Sequence, residues 1–180
     1  MKKSTHTHPN PTIDRISQYA ALLLAIVMVV AVIAQILLAI IGGFHVFFVA
    51  AILTLILIPP VLLRLTMPQI SISQDGIQIQ PYIGRELQVA WEDIEEVRPY
   101  PLLPQPDSEV GRRALLGRKR YRPAEGMMLI VPSLPLYFRA AGLLTGARGK
   151  PVLVLTNRTH TDYPKLVKVI SAQTGHRWRF

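Results

Sequence analysis

The chain has no cysteine. Disulfides, thiolate-ligated metals, iron–sulfur clusters and cysteine nucleophiles are therefore excluded, and thiols say nothing about the redox compartment. Charge is also scarce: Asp, Glu, Lys and Arg make up 17% of 180 residues, against about 25% in ordinary soluble domains. The shortage is local, because no charged residue stands between Tyr19 and Arg64. Acid is scarcer than base, 11 residues against 20, for a net charge of +9. The sequence has no G-x-S-x-G, P-loop, Rossmann fingerprint or H-E-x-x-H, and no cluster of histidine with carboxylates. No enzyme activity, cofactor or metal is expected. Helix-turn-helix, zinc-finger and aromatic-basic RNA signatures are missing too, so nucleic acid is not an expected partner.

What is present is a long apolar run over residues 19–65. A bilayer core of roughly 30 Å takes about 20 apolar helical residues, so this run suffices for two passes. Gly42-Gly43 is the natural reversal. The run is too long for the h-region of a signal peptide, about 7–15 residues, and a second apolar run follows at once. The expectation is a two-helix transmembrane hairpin over 17–65, after a disordered tail over 1–16. In the tail, His6 and His8 are two apart, a spacing open to weak metal binding but more simply read as solvated. Thr12 or Asp14 is placed to cap the first helix. Tyr19 and the cluster Phe44, His45, Phe47, Phe48 suit the two interfaces. Gln35, the strongly polar side chain of the first span, is a candidate contact with the second helix or with a partner. Pro59-Pro60 falls near the end of the second helix. Lys2, Lys3, Arg15, Arg64 and Arg85 flank the hairpin, whereas its loop has no Lys or Arg. By the positive-inside rule both termini are expected to be cytoplasmic, and the protein is expected in the cell inner (plasma) membrane as a multi-pass protein.

Residues 66–180 are polar enough to fold in water and form one small domain. Ile70 and Ile72, then Ile77 and Ile79, alternate with polar residues around Asp75-Gly76, which predicts an antiparallel hairpin. Leu87, Val89 and Trp91 share the face of a third strand. MMLIV (residues 127–131) and PVLVL (151–155) read as buried strands. Residues 163–174 form the closing helix, with Pro164 in its first turn, Leu166, Val167, Val169 and Ile170 on one face, and Gly175 at its end. Two insertions interrupt this pattern. Residues 98–126 are proline-rich and basic, with Arg112, Arg113, Arg118, Lys119, Arg120 and Arg122 as candidates for contact with lipid or a partner. Residues 132–149 are apolar, with Tyr137, Phe138 and Arg139 as further contact candidates. This second insertion either lies on the bilayer or packs on the domain as a lid.

The succession of strand, Asp75-Gly76, strand, Gly84-Arg85, strand, then Trp91-Glu92-Asp93-Ile94-Glu95-Glu96-Val97 resembles the start of bacterial pleckstrin-homology-like (PH-like) domains. Thr156-Asn157-Arg158 and the helix from Pro164 to Ile170 resemble their close. The resemblance implies a mainly antiparallel β barrel or sandwich with one C-terminal helix. It implies no enzymatic activity, and binding of lipids, peptides or proteins. Trp91 and Ile94 are expected in the core, and Glu92, Asp93, Glu95 and Glu96 on a solvated face.

The function expected is that of a non-enzymatic membrane protein whose PH-like domain is a protein-binding scaffold, an accessory subunit or assembly factor of a membrane complex. The alternative is a sensor of anionic lipid working through the basic loop. The expected partners are membrane lipids and a membrane protein or complex.

Overall fold

The computed structural model describes residues 4–81, 85–105, 107–111, 114 and 121–175. Pro11–Ile41 form helix α1 and Val46–Leu62 form helix α2. At 1.5 Å per residue α1 is roughly 46 Å long, ample for a bilayer. Within the spans Asp14–Ile41 and Val46–Thr66, 18-residue stretches have mean hydropathies of 3.1 and 2.8, and only 11% and 6% of those stretches are buried. Both are long and apolar enough to cross a membrane, and their exposure is unlike that of a soluble core helix. The helices meet along small residues, with Ala25, Ala39 and Ala51 buried, which lets the backbones approach closely. The Thr54 hydroxyl donates to the Ala50 carbonyl at 2.9 Å and lies 3.4 Å from Gln35 Oε1. Gln35 is therefore engaged with the second helix.

The β part comprises two antiparallel sheets, neither of them closed. The first has the order β1-β2-β3-β4, from Ser4–His6, Gln69–Ile72, Gly76–Gln80 and Leu87–Ala90. The second has the order β5-β6-β7, from Glu96–Pro99, Gly126–Ile130 and Val152–Thr156. In the first sheet Ile70 pairs with Ile79 and Ile72 with Ile77, in the register that the alternation predicts. Glycine is required at position 76, because a Cβ there would stand 2.0 Å from the Val89 carbonyl oxygen of β4. Trp91 is buried and its indole donates to the Gln74 carbonyl at 3.0 Å. Ile94 packs against the core, while Glu92, Asp93 and Glu95 are exposed and Glu96 half-buried.

The second sheet is buried on both faces. One face gives Val97, Met127, Leu129, Leu153 and Leu155 to the main core, closed by Leu166, Val167 and Ile170 of the C-terminal helix. The other face gives Met128, Ile130, Val152 and Val154 to a second cluster with Leu63 and Met67, just after α2. Two buried faces explain why β6 and β7 read as unbroken apolar runs and not as alternation. A short helix α3, Arg139–Leu144, lies between β6 and β7 and packs against α2. The closing helix α4 is Tyr163–Thr174. It is preceded by Asp162, whose φ is 54° and whose side chain makes no capping hydrogen bond.

The N-terminal segment departs from the expected disordered tail. Ser4–His6 is strand β1, antiparallel to β2 with Ser4 opposite Ile72 and His6 opposite Ile70. The Thr161 amide donates to the Thr7 carbonyl at 2.9 Å, and the Thr7 amide donates to Thr161 Oγ1 at 3.2 Å. Paired backbone groups on both sides order a polar segment that has no hydrophobic pattern of its own. The β unit therefore takes residues from both sides of the helical hairpin, which is inserted between its first and second strands.

Candidate functional site

Three places in this fold gather chemistry. The first is the junction between hairpin and sheets. Asp14, in the first turn of α1, is buried and forms an ion pair with Arg64, in the 3-10 turn after α2. Arg64 Nε donates to Ser17 Oγ at 3.0 Å, and Gln18 Nε2 donates to Asp14 Oδ2 at 3.1 Å. The pair joins the two ends of the hairpin across 50 positions of sequence. Beside it lies His160, fully enclosed. Its Nε2–H donates to the Pro68 carbonyl at 3.0 Å, while Nδ1 accepts from the Thr159 hydroxyl at 2.9 Å. The neutral imidazole fits these partners, and burial holds its pKa down at about 4. His6 Nδ1 is 2.8 Å from the Thr161 carbonyl. His8 Nδ1 accepts from the Asn10 amide at 3.0 Å, so these two histidines serve different partners.

The second place is an open polar groove of about 490 Å³ at the start of α4, lined among others by Arg122, Glu125, Asn157, Arg158 and Asp162. Behind it Glu109 is buried and ties three segments together. Arg158 Nη2 donates to Glu109 Oε2 at 2.7 Å, and the Tyr121 hydroxyl donates to the same oxygen at 2.9 Å. Arg158 Nη2 also donates to the Arg122 carbonyl at 2.8 Å, and Asn157 Nδ2 to the Pro123 carbonyl at 2.8 Å. The groove wall is thus built from the end of the basic loop and from the β7–α4 connection. Its charges are mixed, with Arg122 and Arg158 against Glu125 and Asp162. Burial and the nearby Glu125 carboxylate push the Tyr163 hydroxyl above its ordinary pKa, so it stays protonated.

The third place is the segment over 134–149. Phe138 is fully buried in the main core. It was expected on a contact surface, but its ring is needed to fill the space under the sheet. Tyr137 is half-buried against it, with ring centroids 4.5 Å apart. The side chains that do face outward include Leu136, Leu143 and Leu144, with Arg139 and Arg148.

The expected contact residues are therefore dispersed. Gln35 is in the hairpin and Arg122 on the polar groove, while Tyr137 and Arg139 accompany α3. Arg112, Arg113, Arg118, Lys119 and Arg120 lie outside the described residues. The Asp14–Arg64 pair and the Glu109–Arg158 pair went unread in sequence, since each joins residues remote in the chain. Asp14 did carry one signal: it is a lone acid four residues before Gln18 at the mouth of an apolar helix. Comparison of the chain with protein-family models, with curated proteins and with solved structures gives no match.

Proposed function

We propose that this chain is a non-enzymatic integral membrane protein in which a PH-like domain, carried on a transmembrane hairpin, is a protein-binding scaffold, an accessory subunit or assembly factor of a membrane complex. The observation that carries the reading is the connection of the hairpin. Its first helix leaves β1, its second enters β2, and β1 and β2 are paired. A module fastened to its anchor at two points, with α3 packed on α2, presents one orientation to its surroundings. A scaffold needs that, whereas a recruitment domain on a leash does not. The same pairing requires both ends of a spanning hairpin to emerge on one side of the membrane. The flanking Lys and Arg residues favour the cytoplasm. The PH-like reading is supported by four strands, then three, then a closing helix.

The polar groove at Arg122, Asn157 and Asp162 is the surface assigned to the partner. Extraction of the full chain in a mild detergent, followed by size analysis and cross-linking, tests this. A stoichiometric partner is expected with the wild type and lost in Arg122→Glu. A chain that migrates alone where other membrane complexes survive refutes the scaffold.

A second reading, an anionic-lipid sensor, is favoured by the exposed Arg122 at the end of the basic run. Vesicle binding through that run weakens with salt. Binding that is insensitive to salt and to neutralisation of these arginines refutes it.

A further inference from the structure

We infer that the ridge formed by Leu136, Leu143 and Leu144 inserts into the headgroup–acyl boundary of the membrane that holds the hairpin, so that the β unit lies on the bilayer surface. This rests on the membrane-spanning reading of α1 and α2.

Three observations carry it. First, α3 is amphipathic in an inverted sense. Its small residues Ala140, Ala141 and Gly142 face the protein, while Leu143 is 64% exposed and Leu144 38%. Leu136, one turn earlier, is 73% exposed. A helix in water places its leucines inward; one that serves a membrane surface places them outward. Close packing holds this orientation: a Cβ on Gly142 would fall 1.9 Å from the Lys150 carbonyl oxygen, so the helix cannot roll to bury its leucines.

Second, the ridge is continuous with the hairpin. Helix α3 packs on α2 and on the 3-10 turn that contains Arg64, where the chain leaves the apolar span. The leucines thus extend the apolar surface of α2 sideways at its polar end. Third, the charge suits anionic headgroups. Residues 132–150 contain no Asp or Glu. Arg139 and Arg148 are both exposed beside the leucines, and each cation near an anionic surface adds attraction.

The chain has no cysteine, so a single introduced cysteine is a unique label. The full chain carrying Leu143→Cys or Leu136→Cys, tagged with a polarity-sensitive fluorophore, is placed in phosphatidylcholine–phosphatidylglycerol nanodiscs. Val30→Cys, exposed on α1, is the spanning control, and Gln88→Cys, exposed on β4, is the aqueous control. Expected at Leu143 and Leu136 are a blue-shifted emission, several-fold quenching by nitroxide lipids and protection from aqueous iodide, as at Val30. If both ridge labels behave like Gln88 while Val30 is quenched from the lipid, the ridge is not in the membrane. It then faces water or a protein partner, and the inference is overturned while the hairpin stands. If Val30 also escapes the lipid quencher, the membrane reading falls and takes the inference with it.

Discussion

His160 offers a measurable consequence of the way hairpin and sheets are joined. Its imidazole is enclosed, with Nε2–H given to the Pro68 carbonyl and Nδ1 receiving the Thr159 hydroxyl. A proton added at Nδ1 would remove that acceptor and place a charge where water cannot reach it. Burial accordingly lowers the pKa to about 4, with His6 nearby acting in the same direction and Asp14 opposing. The sign follows from proton uptake. Between about pH 6.5 and pH 4 the unfolded chain binds a proton that the folded chain refuses, so stability falls as pH falls through this window and is complete above it. The gap between about 6.5 and about 4 corresponds to roughly 3 kcal/mol, of which about 2 kcal/mol is already lost at pH 5. The assay is unfolding of the full chain in detergent micelles, followed by the fluorescence of buried Trp91 at pH 8 and pH 5, with the imidazole titration read by NMR. His160→Gln, which retains a donor near Pro68 but does not titrate, should lose most of the pH dependence. A His160 that titrates near 6.5, or a wild-type stability that is flat from pH 8 to pH 5, refutes the reasoning.

Other changes act on single contacts. Asp14→Ala leaves Arg64 without its carboxylate at the neck of the hairpin; breaking such a pair costs about 3–5 kcal/mol when fully buried, and the 28% exposure of the Arg64 side chain reduces this to about 2–3 kcal/mol, read as a lowered unfolding midpoint. Gly142→Ala drives a methyl into the Lys150 carbonyl and should destabilise by about 1–3 kcal/mol, with loosened hydrogen exchange in the 145–150 turn. Gly76→Ala meets the Val89 carbonyl in the same way, and its expected readout is weakened amide protection along β3 and β4. Gln35→Leu removes the approach to Thr54 and should weaken the hairpin by no more than about 1–2 kcal/mol; a loss of partner association as well would place Gln35 on a binding surface.

Much of the architecture was legible because its causes are local. A run of 44 residues without charge between Tyr19 and Arg64 admits few readings other than paired apolar helices. The isoleucines around Asp75-Gly76 carry strand period, face and register together, and β2 and β3 pair as they prescribe. What was not legible depends on long-range pairing. Ser4-Thr5-His6 has no hydrophobic pattern, and the strand that orders it arrives only after the whole hairpin, as the Ser71–Thr5 hydroxyl contact across 66 positions records. At the apolar insertion the composition was plain but the inward face was not. Three aromatic or leucine positions in succession at 136–138 have no period, and only the packed structure separates buried Phe138 from exposed Leu136. The basic run is legible as composition alone, and its one candidate among the described residues, Arg122, lines the polar groove.

The pairing of β1 with β2 changes what the hairpin is. An N-terminal anchor followed by a domain is joined to it at one peptide, and the domain is free to turn. Here the chain enters and leaves the hairpin through neighbouring strands of one sheet, in a register set by Ser4 opposite Ile72 and His6 opposite Ile70. Rotation of the β unit about the hairpin would have to twist both connections at once, against the packing of α3 on α2 and the His160–Pro68 hydrogen bond that ties the second connection to the β7–α4 segment. These contacts join α2, α3, the connection into β2 and the β7–α4 segment. Helix α3, which carries the exposed Leu143 and Leu144, packs as well on the 3-10 turn that follows α2. Orientation in this protein thus follows from strand pairing that spans the hairpin, with the packing of α3 on α2 serving to hold the angle.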